Sequence, residues 1–144
     1  MPCSHRSLHS LSLTCIDPCS AGTAGNAEAE ALAKFPTPAN LAAVSAADLD
    51  TLQTERETAE AAETDAFNQA VDGASGAAAQ ALQNGKIKNK VLKLTAEVLA
   101  LKIQQAQGDD TAAKITEEQT KLTTNINLDK DAAGQQSQTV QFNG

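Results

Sequence analysis

Four lysines, Lys86, Lys88, Lys90 and Lys93, lie within eight residues and are the residues whose type and spacing suggest ligand binding. Ammonium groups attract phosphates and carboxylates, so this lysine group predicts a surface patch for anionic lipid or acidic polysaccharide. The lysines fall in the first two turns of a predicted helix, where the helix dipole disfavours cations. Their placement is unusual for exposed lysines, so the binding interpretation stays open beside the structural one.

An acidic stretch upstream offers a structural role for the same lysines. Residues 48–72 contain eight acidic residues and Arg56 as their one cation, whereas residues 86–102 contain five lysines and Glu97 as their one acid. Two antiparallel helices with these charges would be complementary along their flanks. We favour this interpretation, under which a substitution such as Lys88→Ala is expected to change stability little.

Cysteine and histidine side chains near the start of the chain have the types that bind zinc: Cys3, His5, His9, Cys15 and Cys19. Three residues separate Cys15 from Cys19, which is a permitted ligand spacing. The flanking residues offer no core that would orient the ligands. We therefore predict no metal and no other cofactor, with a disulfide between two of the three cysteines left open.

Residues 1–25 are interpreted as a disordered or degenerate leader. Leu8, Leu11, Leu13 and Ile16 are separated by polar residues, so they do not form the apolar run of a clear secretory signal. No other part of the chain approaches the ~18 apolar residues of a membrane span. We therefore predict no transmembrane segment.

Catalytic constellations are missing from the rest of the chain. Both histidines lie in the leader, and no G-x-S-x-G, G-x-G-x-x-G or P-loop motif is present. Neighbouring acids such as Glu117 and Glu118 point to different sides of a helix. The chain has neither Trp nor Tyr to stack on bases and a net charge of -7. We predict that it is not an enzyme and that it does not bind nucleic acid.

The lysine group belongs to a predicted helix over residues 86–107 with a broad apolar face. Apolar residues recur there at steps of three and four, as on one side of a helix. The central positions are Ile87, Val91, Leu94, Val98 and Leu101, and Leu92, Leu99 and Ile103 widen the face. This face must pack against other elements. The predicted helix ends at Gly108, in a left-handed conformation.

Two further long helices are predicted. Ser45, with Asp48 three residues later, is typical of a helix start, and that helix ends near Gly73. Its inner face contains Leu49, Leu52, Ala59, Ala62, Ala66 and Ala70, with Phe67 and Val71 at the edge. The last helix extends from Thr111 to about Ala133 and is capped by Asp109 or Asp110. Its inner face contains Ala112, Ile115, Leu122, Ile126 and Ala133.

Shorter helical segments are predicted over residues 26–34, 39–44 and 77–83, the last ended by a turn at Asn84-Gly85. Because the long helices are joined by short connections, neighbours should be antiparallel. The predicted fold is all-α, an antiparallel helical bundle of three long helices plus one or two short ones. It occupies residues 26–134 as one domain, and residues 135–144 form a flexible tail.

Three segments between residues 47 and 142 carry a resemblance to known proteins: LQTERETAEAAETDAFNQAVDG (52–73), LQNGKIKNKVLKLTAEVLALKIQQAQGDD (82–110) and EEQTKLTTNINLDKDAAGQ (117–135). Residues 47–142 resemble, through these segments, a group of uncharacterised small secreted proteins of filamentous fungi. The resemblance implies secretion and an extracellular helical fold, and it assigns no functional residues.

The missing catalytic groups predict a non-enzymatic protein, and the resemblance implies a small secreted fungal protein with an effector-like role at the cell surface or a host interface. Its partner would be a host protein or a cell-wall component. The alternative is an amphipathic bundle that opens to bind lipid or a hydrophobic surface through the face of residues 86–107.

Overall fold

The computed structural model describes residues 22–142, in which helices pack around one central helix. The helices are α1 (Ala27–Lys34), α2 (Ala46–Ala62), α3 (Asn68–Asp72), α4 (Gly76–Ala106) and α5 (Ala112–Asp131). A π-helical turn, Glu63–Phe67, joins α2 to α3, so residues 46–72 form one continuous helical rod, and a 3₁₀ turn spans Leu41–Ala43. The predicted all-α bundle of three long helices plus short ones is confirmed.

Helix α4 is the central element, and α1, α2 and α5 all pack on it. Every residue of the predicted apolar face of this helix is buried, from Ile87 to Ile103. Because neighbours cover several sides of α4, polar side chains on it are also buried, including Asn84, Lys88 and Asn89. The core therefore surrounds α4.

The predicted turn at Asn84-Gly85 is wrong, because α4 continues through both residues. The side-chain amide of Asn84 is buried and donates a hydrogen bond of 2.9 Å to the carbonyl oxygen of Gln136. Its side-chain oxygen accepts a bond of 3.0 Å from Gln80. These contacts satisfy the polar groups that favour a turn in an isolated peptide, so tertiary structure overrides the local preference.

The predicted helix start at Ser45 is confirmed, since its hydroxyl accepts a bond of 3.1 Å from the backbone N–H of Asp48. On the inner face of α2, Leu52 is buried as predicted. Phe67 was placed at the edge of this helix but is fully buried. Phe67 is the last residue of the π turn, whose wider winding changes where a side chain lies around the helix axis from the position that a regular α-helix predicts.

The junction between α4 and α5 follows one prediction and contradicts another. Gly108 has a φ of 110°, and the N–H of Asp109 donates to the carbonyl of Gln104 at 3.0 Å, which together form the expected left-handed helix end. Neither Asp109 nor Asp110 caps α5, because Thr111 occupies the N-cap position.

The inner face of α5 is only partly the predicted one. Leu122 is buried and packs in the core with Ile126, but Ala112 and Ala133 are exposed. Polar residues are buried in their place: Glu118, Asn125 and Asp129. The apolar spacing located this face, but it missed the polar residues that complete it.

Both ends of the described chain meet in a short antiparallel sheet of β1 (Gly22–Thr23) and β2 (Gln136–Ser137). Gln138 also donates its N–H to the carbonyl of Ala81 at 2.9 Å. Residues 135–138, assigned from sequence to a flexible tail, are thus bonded to the bundle. At Gly25, with a φ of 112°, an added Cβ would lie 3.0 Å from the Cβ of Ala133, so this close approach requires glycine.

Most of the predicted leader lies outside the described residues, and so does the whole candidate zinc group, Cys3, His5, His9, Cys15 and Cys19. Within the leader range, only residues 22–25 are described, and two of them form β1.

Candidate functional site

Lys88 of the predicted anionic-surface patch lies inside the protein. Its side chain is 1% exposed, and its ammonium lies 2.8 Å from a carboxylate oxygen of Glu30. The ammonium also donates to the carbonyl of Thr23 at 3.1 Å. Lys88 therefore joins α4 to the N-terminal segment and cannot meet an external surface.

The other three lysines of the group lie on a different side of α4. Lys93 and Lys90 approach the two carboxylate oxygens of Glu63 at 2.9 and 3.6 Å. Glu63 belongs to the acidic stretch, so these pairs are the kind that the structural interpretation predicts. Lys86 is half-buried and makes no ion pair with residues 22–142. The lysine group thus does not converge on one exposed patch.

Lys90 and Lys93 line a charged cleft of about 310 Å³ between α2, α4 and α5. Arg56 lies between Glu60 and Glu97 in this cleft, with a distance of 2.8 Å to each carboxylate. The remaining lining residues are Leu94, Lys114, Glu118, Lys121 and Asn125.

Ion pairs within the charged cleft neutralise most of its cations. Lys121 bonds Glu117 at 2.8 Å and Glu118 at 2.9 Å. The hydrogen bond from Lys121 to Glu117 and the positive charge of Lys121 lower the pKa of Glu117. The hydrogen bonds to Glu117 and Glu118 in turn raise the pKa of Lys121. Of the cations that line the cleft, Lys114 alone has no ion pair within residues 22–142. At every cation of the cleft except Lys114, an anionic ligand would have to displace a carboxylate already in place.

An apolar groove of about 220 Å³ lies between α1, α4 and α5. Its lining is largely hydrophobic, and its apolar residues are Leu32, Phe35, Val98, Leu99, Leu122 and Ile126. Its polar residues are Glu28, Thr37, Thr95, Lys102 and Gln119. Leu32 is 48% exposed, and it is one of two large hydrophobic residues within 22–142 that are this open to solvent.

Helical spacing on α4 aligns the groove with the helix axis. Thr95, Val98 and Lys102 follow at steps of three and four, so they share one side of α4 over a length of about 10 Å. Leu122 and Ile126 provide the facing stripe on α5. The groove is therefore long and narrow.

The two ends of the groove differ in charge. Helix α5 returns antiparallel to α4 after a short connection, so Gln119, the first of the α5 residues in the groove, lies nearer the Lys102 end than Leu122 and Ile126 do. Asp129 accepts a bond of 2.9 Å from the N–H of Ala27, which places the start of α1 at the opposite end. Glu28 therefore marks the far end of the groove, where Lys130 approaches it at 3.1 Å.

Sequence reasoning located part of this groove. Val98 and Leu99 belong to the predicted apolar face of α4, and Leu122 and Ile126 to that of α5. Leu32 and Lys102 were missed as site residues. Leu32 is distinguished in the sequence only as a large apolar residue in a helix rich in Ala and Glu. That feature does not predict which residues lie beside it.

A family model described as Domain of unknown function (DUF8454) matches residues 18–141. The chain belongs to this family. The matched range of the DUF8454 domain includes every described helix and strand, and with them both the charged cleft and the apolar groove. Neither a curated protein nor a solved structure matches the chain.

Two further findings concern the part of the DUF8454 chain that the structure describes. Within residues 22–142, no three His, Cys, Asp or Glu side chains are grouped so that they could hold a metal ion. None of the helices in this range is both long enough and apolar enough to cross a membrane.

Proposed function

We propose that this DUF8454 chain is a non-enzymatic secreted protein that binds the alkyl chain of a small amphiphile in the apolar groove. The observation that supports this most is the open apolar surface beside Leu32, which is 48% exposed. Burial of such surface against a ligand is favourable by about 25 cal/mol per Å². Secretion, and action at the cell surface or a host interface, rest on the resemblance to small secreted proteins of filamentous fungi.

The dimensions of the apolar groove favour an alkyl chain over a larger ligand. Pockets for drug-sized molecules usually measure ~300–1,000 Å³, and this groove is smaller, at about 220 Å³. The chain has no Trp or Tyr to stack against a flat ring system. Phe35 and the aliphatic residues of the lining favour a flexible aliphatic ligand.

Binding in the groove does not require the bundle to open. Opening through the face of residues 86–107 would expose α4, whose Val91 is fully buried and whose Leu94 is 4% exposed. A ligand in the groove would instead cover Leu32, which is 48% exposed, and the outer edges of the buried side chains beside it. This makes the groove a better candidate than the opened bundle for binding lipid-like molecules.

The polar groups at the groove support a binding role. The hydroxyl of Thr95 donates a bond of 2.7 Å to the carbonyl of Val91, and Glu28 faces Lys130. A nucleophile needs a base within hydrogen-bond distance and a further group to orient that base. No two polar side chains at the groove are bonded in this way, so the proposed function is non-catalytic.

Replacing Leu32 by Gln should weaken the binding of 1-octanol about fivefold, because about 1 kcal/mol of apolar contact with the ligand is lost. Isothermal titration calorimetry would measure the dissociation constant. Leu128→Gln is the matched control, since Leu128 is 45% exposed but lies outside the groove. Equal effects of the two substitutions, or no saturable binding to the unmodified chain, would contradict the proposed function.

A further inference from the structure

We infer that the ligand of the apolar groove carries a carboxylate head group, which Lys102 binds at one end of the groove. The ligand class is then a medium-chain fatty carboxylate. This inference rests on the proposed function, because it assigns a head group to the ligand that the groove accepts.

Lys102 has the position that an anionic head group requires. It lies on α4 at the end of the stripe formed by Thr95 and Val98, so an alkyl chain extended along that stripe ends beside it. Lys102 is exposed and makes no ion pair with residues 22–142. Its ammonium is therefore available to a ligand, whereas Lys90, Lys93 and Lys121 of the charged cleft already bond carboxylates.

The distribution of charge along the groove fixes the direction of the ligand. Glu28 marks the end opposite to Lys102 and would repel a carboxylate there, although Lys130 offsets part of its charge. Gln119 and Thr37 add polar side chains to the lining, and Gln119 lies nearer the Lys102 end than the other α5 residues of the groove. A ligand with a carboxylate at Lys102 and its tail toward Glu28 matches both ends.

The net charge of the protein makes Lys102 decisive for such a ligand. The chain carries a formal charge of -7, which repels anions at long range. An anion that binds must therefore gain a local contact with a cation. Lys102 is the one cationic side chain among the residues that line the groove.

Three ligands with the same eight-carbon tail distinguish the contribution of the head group to the binding affinity from that of the tail: octanoate, 1-octanol and octylammonium. Calorimetric titrations are made on the unmodified chain, on Lys102→Gln and on Lys114→Gln. Lys114 is a matched control, because it is also exposed and free of ion pairs within residues 22–142 but lines the charged cleft. Equal urea midpoints for the three proteins show that the fold is kept.

We expect octanoate to bind the unmodified chain about tenfold more tightly than 1-octanol, and octylammonium to bind most weakly, since a charged contact to Lys102 distinguishes them. Lys102→Gln should remove this preference, so that octanoate and 1-octanol bind with similar dissociation constants, while Lys114→Gln keeps the preference.

The same titrations distinguish two kinds of failure. If 1-octanol binds but octanoate binds no more tightly, or if Lys102→Gln keeps the preference for octanoate, the assignment of the head group is wrong and the proposed function stands. If no octyl compound binds the unmodified chain, both are overturned.

Discussion

Lys88→Ala is expected to lower the free energy of unfolding by about 2–3 kcal/mol, because it breaks an ion pair whose cation is buried. The side chain of Lys88 is 1% exposed and that of its partner, Glu30, is 28% exposed. Oε2 of Glu30, which faces the ammonium, is buried, but the rest of this side chain keeps contact with water, which keeps the loss below the ~3–5 kcal/mol of a fully buried pair. The carbonyl of Thr23 also loses a hydrogen-bond donor.

Urea denaturation followed by circular dichroism measures this change, with Lys114→Ala as the control. Lys114 is exposed, so its substitution should change stability by no more than about 0.5 kcal/mol. A double-mutant cycle with Glu30→Ala should return a coupling energy between the two residues. A Lys88→Ala midpoint equal to that of the control would contradict the buried position of this lysine.

Phe67→Ala is expected to destabilise the protein more than Lys88→Ala, with a loss of about 3–5 kcal/mol in the free energy of unfolding. The ring is 0% exposed, and it lies where the π turn joins α2 to α3. Its removal leaves a cavity that the surrounding helices fill only in part, so contacts and hydrophobic burial are both lost.

Thermal and urea unfolding of Phe67→Ala are best compared with those of Phe142→Ala. Phe142 is only partly buried and follows the last strand, so the same chemical change should cost far less there. If Phe142→Ala destabilises the protein as much as Phe67→Ala, the packing described for the π turn is wrong.

Local signals in the sequence predicted local structure correctly. Ser45 is followed by Asp48 at the spacing of a capping hydrogen bond, and Gly108 follows the last apolar residues of its helix. Both depend only on residues within one or two helical turns, so the sequence alone contains the information needed.

Errors arose where the deciding contact comes from a distant part of the chain. Asn84-Gly85 resembles a turn until Gln136 is known to bond the Asn84 side chain. Lys88 belongs to a group of lysines that cannot be distinguished from one another in the sequence. Its contact with Glu30, which lies on a different helix, shows which of them is buried. The α1 side of the apolar groove, with Leu32, was missed in the same way, because the crossing of α1 over α4 and α5 is not encoded in any one helix.

The proposed function requires that the apolar groove bind an alkyl chain while the bundle stays closed. Carbon-13 methyl spectra recorded during a titration with 1-octanol distinguish this from binding to an opened bundle. We expect saturable shifts with one dissociation constant for the methyl groups of Leu32, Leu122 and Ile126, and unchanged signals for Leu128. Absence of saturable shifts in the groove, or equal shifts at the fully buried Val91, would contradict it.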